Sequence, residues 1–249
     1  MKKDRIGESN ISFEGYEIKI INYNNAHDIV VEFQDNHKAK INSEYKAFKK
    51  GNIRNPYHPT VCGVGYIGNA TTAINKKHKQ SYVCWANMLK RCYSQDNPKY
   101  IYYKGCTVCE EWLCYENFEI WWNDNYYEIS GEKMNLDKDI LIKGNKIYSP
   151  NTCILVPARI NTLFVFNKNV RGDLLIGVYY DQVHNKYVAH CKIGEKRKTI
   201  GYADSEEEAF LLYKEAKEQE IKRVAQLYKD IIPYKLYKAM MNYTIEKED

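Results

Sequence analysis

The sequence predicts an α+β fold made of three small modules, at residues 11–68, 78–166 and 170–245. Short alternating apolar runs near the start predict a small β-module. Aromatic residues at helical spacing predict helices in the middle of the chain. Three strand-like segments before one long helical segment predict a three-stranded antiparallel sheet packed on a helix near the end. A chain of 249 residues has room for one large domain or for two to three small ones.

In the N-terminal module, Ile29, Val31 and Phe33 alternate with polar residues, as in a half-buried strand. An earlier apolar run predicts a second strand, with residues 22–28 as the turn between the two. Residues 45–48, followed by Gly51, predict a single helical turn that ends at a glycine.

The connection after this module matches a nucleotide-binding motif by letter alone. Gly63, Gly65 and Gly68 have the GxGxxG spacing. The dinucleotide fingerprint requires a strand before it, a helix after it and an acidic residue roughly 20 positions further on. Here a proline-containing loop precedes the glycines, and Asn87 stands where the acid is expected. We therefore interpret residues 52–70 as an extended connection.

The central module is predicted to combine helices with a β-hairpin. A helix over residues 80–93 is indicated by apolar residues at helical spacing, namely Tyr82, Trp85, Met88, Leu89 and Cys92. The remaining segments are predicted as extended at 100–109, helical at 110–123, extended at 134–142 with a turn at 143–146 and a return at 147–148, and helical at 158–164.

The C-terminal module is predicted as a sheet followed by helices. Its strands are expected at residues 174–180, 186–193 and 198–202. Ser205 followed by acidic residues predicts the start of a helix that runs to about Tyr228, because acidic side chains stabilise the first turn of a helix. A shorter helix is expected at residues 234–243.

Charge and hydropathy narrow the class of protein. The chain carries 37 Lys and Arg against 32 Asp and Glu, a net charge of +5. Because this excess is modest, the position of the cations matters more than their number. No apolar run of about 18 residues predicts a membrane span, and no apolar stretch follows the first residues as in a secretory signal. We expect a cytoplasmic protein with reduced cysteines.

The cysteine spacing leaves two interpretations open. Cys106 and Cys109 have the CxxC spacing of a zinc knuckle, with Cys92, Cys114 and Cys153 as candidate partners. The candidate set for structural Zn²⁺ is Cys92, Cys109 and Cys153. Since the sequence has no second CxxC, packing of these thiols in an aromatic-rich segment is the favoured interpretation.

Spaced residues in the centre of the chain form a second pattern: Trp85, Arg91 and Cys92; Gly105, Val108, Cys109 and Trp112; Leu136, Asp137 and Asp139; Gly144, Tyr148, Pro150, Asn151 and Cys153; and Asn161. Over residues 82–163 this pattern resembles a widespread family of HNH endonuclease-like proteins of phages and mobile elements. Residues 11–68 more faintly resemble the small β-module at the front of such proteins. The resemblance implies a central HNH-like ββα module, a bacterial host cell, and metal-dependent DNA cleavage, homing-type enzymes included.

In an HNH site, a histidine activates water and a divalent cation such as Mg²⁺ stabilises the reacting phosphate. By position, the resemblance places Asp137 and Asn161 at the metal ligands and Asn151 at the asparagine that braces the loop. Lys138 occupies the position of the activating histidine, beside Asp139. Because a solvated lysine stays protonated near neutral pH, we expect a degenerate catalytic site.

The C-terminal residues form a third pattern: Gly177 to Asp181, Lys186 to Cys191, Thr199 to Tyr202 and Ser205 to Tyr213. Over residues 170–228 it resembles the plant ethylene-response-factor (APETALA-type) domain, which also recurs in integrases. The resemblance implies a sheet that enters the major groove of DNA, with one helix packed behind it. The implied DNA-binding residues are Tyr179, Lys186, His190, Lys192, Arg197, Lys198 and Thr199.

The two resemblances together predict a protein that binds double-stranded DNA. Two functions remain open: a metal-dependent DNA nuclease, and a non-catalytic phage factor that regulates or blocks a host system by binding DNA or a host protein. Lys138 favours the second function, whereas Asp137, Asp139, Asn151 and Asn161 favour the first.

Overall fold

A computed structural model describes residues 4–94, 97–165 and 173–249. The fold is α+β, as predicted. Its α-helices are α1 (Tyr45–Lys49), α2 (Gln80–Tyr93), α3 (Tyr115–Asn125), α4 (Ala158–Asn161), α5 (Glu206–Leu227) and α6 (Tyr234–Met241). Short 3₁₀ helices lie at Pro98–Tyr103, Glu110–Leu113 and Thr162–Phe164. Over these three described ranges, every helix is too short or too polar to span a lipid bilayer.

The strands are short and form several small sheets. They are β1 (Ser9–Ile11), β2 (Glu17–Asn25), β3 (Asp28–Phe33), β4 (Lys40–Ser43), β5 (Ala73–Ile74), β6 (Lys77–His78), β7 (Thr107–Val108), β8 (Met134–Asp137), β9 (Ile147–Tyr148), β10 (Ile154–Pro157), β11 (Val178–Asp181), β12 (Lys186–Ile193) and β13 (Lys196–Ala203). The chain forms two compact units, residues 1–124 with 147–149, and residues 125–146 with 150–249. The division into three modules stays a prediction.

The first unit begins with the antiparallel sheet β1–β2–β3–β4. Alternate residues of β2 and β3 are buried and pack with Phe48 of α1. The predicted turn over residues 22–28 is wrong in length, because Asn22 and Tyr23 still pair with β3 and β2 continues to Asn25. Gly51 has a φ of +66° just after α1, which agrees with the predicted glycine stop.

The same unit contains α2, whose predicted bounds are confirmed and whose buried face includes Trp85 and Leu89. The extended segment predicted at 100–109 is wrong over its first part, because Pro98–Tyr103 is a 3₁₀ helix. Asn97 caps this helix by accepting the backbone N–H of Lys99, and Pro98 stands at its first position, where a missing N–H costs little.

The predicted return of residues 147–148 onto 134–142 is also wrong. β9 pairs in parallel with β7, and β8 pairs in antiparallel fashion with β10. The strand β7 lies well before β9 in the sequence, and β10 lies well after β8. The local alternation of apolar residues carries no information on which distant strand becomes the partner.

The second unit contains the β8–β10 pair, α4, the sheet β11–β12–β13, α5 and α6. One apolar core is shared by all of them and includes Val156, Ile160, Val178, Ala225 and Met240. The three predicted C-terminal strands and both helices are present, although β11 begins at Val178 and not at the predicted residue 174. The helix α5 begins at the predicted cap, where the Ser205 hydroxyl accepts the N–H of Glu208 at 3.2 Å.

Candidate functional site

The pair β8–β10 leads directly into α4 and gives the order strand, strand, helix. Asp137, the last residue of β8, lies opposite Ile154, the first residue of β10. Asn151 stands just before β10, so Asp137 and Asn151 lie at the same end of the antiparallel pair. The helix α4 packs against both strands and ends at Asn161. This order is the one expected of a ββα module.

The side chain of Asp137 is engaged by the backbone of the loop that it starts. Its Oδ1 accepts the N–H of Asp139 at 2.8 Å and the N–H of Ile140 at 2.7 Å. Burial raises the pKa of Asp137, and the two N–H groups act in the opposite direction. The predicted metal ligand is therefore also a structural anchor of the turn after β8.

Lys138 acts as a hydrogen-bond donor inside the same loop. Its Nζ donates to Oδ1 and Oδ2 of Asp139 at 2.8 and 2.7 Å and to the carbonyl oxygen of Asn145 at 2.7 Å. The residue is only 8% exposed. An ammonium group that holds three acceptors is a charged donor and has no lone pair with which to accept a proton from water. This geometry gives Lys138 a structural role, and its catalytic role remains a prediction.

The other candidate residues of the hairpin are less enclosed. The Asp139 side chain is 47% exposed and paired with Lys138. Asn151 is exposed, whereas Asn161 is half-buried at the end of α4. The hairpin thus brings Asp137, Lys138 and Asp139 into one turn.

The eight cysteines are free thiols. Cys92 is buried on α2, Cys153 is buried just before β10, and Cys109 is half-buried in the other unit from Cys153. Burial raises the pKa of the Cys109 thiol, which disfavours the thiolate that zinc requires. Within residues 4–94, 97–165 and 173–249, no group of three or more His, Cys, Asp or Glu side chains could hold a metal ion. A structural zinc site stays a prediction.

The sheet β11–β12–β13 has one face against α5 and an opposite face, here called the outer face. Side chains alternate between the faces along each strand. Lys186, Val188, His190 and Lys192 of β12 belong to the outer face, because Ala189 and Cys191 are buried in the core with α5. Val188 is itself fully buried, although its place on the outer face predicted exposure.

A polar cluster forms at the centre of the outer face. Thr199 lies opposite His190, and its Oγ1 is 3.0 Å from the His190 Nε2. The ring of Tyr179 meets that of His190 edge-on, with centroids 4.6 Å apart. Nδ1 of His190 is buried and has no hydrogen-bond partner among the described residues. Burial lowers the pKa of His190, and the nearby charge of Arg197 acts in the same direction, so the neutral imidazole is favoured.

Two cations lie beside this cluster, at the end of the sheet where β12 turns into β13. Lys192 lies directly opposite Arg197, and both are exposed. Lys186, at the other end of β12, is paired with Asp204. The expectation that Lys198 points outward is corrected, because Lys198 pairs with Cys191, whose side chain is in the core. Neighbouring residues of a strand point to opposite faces, so Lys198, next to the outward Thr199, lies on the α5 side. A bulge at Ile200 then shifts the alternation of the later residues of β13.

The same bulge places Tyr202 on the outer face, which the sequence did not predict. Tyr202 lies opposite Val188 on the outer face and is 54% exposed. Simple alternation from Thr199 would place Gly201 on that face instead. A one-residue shift of register moves every later side chain to the other face, and the bulge has no marker in the local sequence.

No protein-family model, curated protein or solved structure matches this chain. The two family resemblances therefore stay expectations.

Proposed function

We propose that the chain binds double-stranded DNA through the outer face of the sheet β11–β12–β13. The observation that carries this proposal is the register of β12 with β13. It places the cations Lys192 and Arg197 side by side, next to the paired side chains of His190 and Thr199. Exposed cations beside a row of polar groups are what a DNA-reading surface requires, since phosphates supply affinity and base edges supply sequence preference.

Each group on the outer face has a distinct part in this proposal. Lys192 and Arg197 neutralise backbone phosphates, and Arg197 can also contact a guanine edge through two N–H groups. The hydroxyl groups of Tyr179 and Thr199 offer donors and acceptors toward the bases. His190 orients the Thr199 hydroxyl through its Nε2, and the neutral ring can do so as donor or acceptor.

We further propose that the β8–β10 hairpin is at best a weak nuclease. The clamp formed by Lys138 supports this, since its ammonium neutralises Asp139 and occupies the position of the activating base. A divalent cation such as Mg²⁺ prefers several oxygen ligands. Asp137 already accepts two backbone hydrogen bonds, and Asp139 already pairs with Lys138, so these residues fit a metal ion poorly.

Binding to a labelled DNA duplex at low salt, followed by fluorescence anisotropy, tests the main proposal. We expect the double variant Lys192→Gln/Arg197→Gln to bind more weakly than the wild type, by about tenfold or more. The matched control Lys222→Gln/Lys235→Gln loses two exposed cations from α5 and α6 and should bind nearly as the wild type does. Equal loss in both double variants would show that only net charge matters and would overturn the proposed face.

A further inference from the structure

A pocket of about 330 Å³ lies in the second unit, between α4, the β12–β13 hairpin and α5. Its charged walls include Arg159 from α4, Lys192 from β12, and Lys217 and Glu220 from α5. Leu163 and Val224 supply an apolar part of the wall. This volume is at the small end of the range for ligand pockets, which is about 300–1,000 Å³.

The one buried acid of the pocket is already neutralised. Glu220 is 3% exposed, and its carboxylate accepts hydrogen bonds from Nε and Nη2 of Arg223, both at 2.7 Å. Oε1 of Glu220 also accepts the backbone N–H of Gly194 at 2.8 Å. Arg223 thus balances much of the charge of Glu220, although Glu220 also raises the pKa of Lys217.

Two cations of the pocket differ in burial: Lys217 is buried, whereas Arg159 is exposed. Lys217 is 8% exposed, and burial lowers its pKa by disfavouring the charged ammonium. A bound anion would restore the preference for the charged form. Arg159 is exposed at the rim and can form two parallel hydrogen bonds to an oxyanion. Glu195, at the hairpin tip, is the other acid of the wall and is solvent-exposed.

We propose that this pocket binds a phosphate group through Arg159, Lys192 and Lys217. A phosphate monoester carries a charge near −2 and several acceptor oxygens, which match the three cationic side chains of the wall. The apolar wall of Leu163 and Val224 accommodates the ester part of the ligand. The phosphate belongs either to a free ester of mononucleotide size or to a DNA backbone. The pocket shares Lys192 with the outer face, whereas Arg159 and Lys217 belong to the pocket alone.

Isothermal titration calorimetry at constant ionic strength tests this site. The probes are inorganic phosphate, a deoxynucleoside monophosphate and a short DNA duplex. We expect Arg159→Gln to weaken binding of at least one probe by about tenfold or more, as does loss of a charged hydrogen bond. Lys217→Met should do the same, and Arg159→Gln keeps the test decisive if Lys217→Met does not fold. The control Lys222→Gln should leave binding unchanged.

The pattern of results separates the two sources of phosphate. Saturable binding of the small probes, lost in Arg159→Gln, assigns the pocket to a free phosphate ester and stands even if duplex binding fails. An effect of Arg159→Gln on the duplex alone assigns it to a backbone phosphate. If neither Arg159→Gln nor Lys217→Met weakens the binding of any probe, the proposal is overturned.

Discussion

Lys138 and Asn145, seven residues apart in the loop after β8, form two reciprocal hydrogen bonds. Nζ of Lys138 donates to the Asn145 carbonyl oxygen at 2.7 Å, and Nδ2 of Asn145 donates to the Lys138 carbonyl oxygen at 3.0 Å. The two hydrogen bonds close the loop, and the ammonium also holds Asp139. Lys138, which occupies the position of a catalytic base, thus stabilises the loop to which it belongs.

Removal of this ammonium should destabilise the protein. We expect Lys138→Met to lower the free energy of unfolding by about 1–3 kcal/mol, since it removes the donor that the Asn145 carbonyl oxygen and the Asp139 carboxylate share. The control Lys133→Met, at an exposed position beside β8, should stay within about 0.5 kcal/mol of the wild type. Denaturant unfolding measures both. Equal stability of the two variants would show that the clamp contributes nothing.

Nicking of supercoiled plasmid with Mg²⁺ or Mn²⁺ should be slow or absent in the wild type. General-base catalysis contributes about 10²–10⁴-fold, and the Lys138 ammonium does not supply it. We expect Lys138→His to increase any nicking and Asp137→Ala to remove it. Rapid wild-type cleavage that survives Asp137→Ala would place the chemistry elsewhere in the chain.

The pKa of His190 should report on Arg197. Because burial and Arg197 depress this pKa below its ordinary value of 6.5, the contribution of His190 to stability is present above pH 6.5 and is lost as pH falls through the folded-state pKa. Imidazole titration by NMR should show a higher pKa in Arg197→Gln than in the wild type. An unchanged pKa would mean that the two side chains do not interact.

Gly177 should be intolerant of any side chain. It has a φ of +76°, and an added Cβ would lie 2.1 Å from the Tyr213 ring of α5. We expect Gly177→Ala to cost about 2–5 kcal/mol from backbone strain and overpacking. Gly194→Ala, with a φ of +63° and nothing within 4 Å of the added Cβ, should cost only about 1–2 kcal/mol. Thermal unfolding measures the stability of both variants. Equal losses of stability would show that a clash with the Tyr213 ring contributes nothing to the cost of Gly177→Ala.

Local patterns in the sequence were sufficient for the elements that depend on local signals. The bounds of α2 follow from its apolar spacing, and the start of α5 follows from Ser205 and the acids after it. The three strands of the C-terminal sheet follow from period-two alternation between turn residues. Each of these signals lies within the element itself.

Other features depend on residues that are distant in sequence. The pairing of β9 with β7 instead of β8 is a long-range choice that alternation does not encode. The role of Lys138 depends on a carbonyl oxygen whose position only the folded loop determines. The bulge at Ile200 changed which side chains share the outer face and so brought Tyr202 onto it.

The salt dependence of duplex binding tests the central claim most directly. Each phosphate that a cation neutralises contributes about −0.9 to the slope of log K against log salt concentration. Wild-type binding should weaken steeply with salt, and Arg197→Gln and Lys192→Gln should each reduce the magnitude of the slope by about 1, whereas Lys222→Gln should leave it unchanged. Absent binding at low salt, or slopes that are identical in all four proteins, would contradict the proposed DNA-binding face.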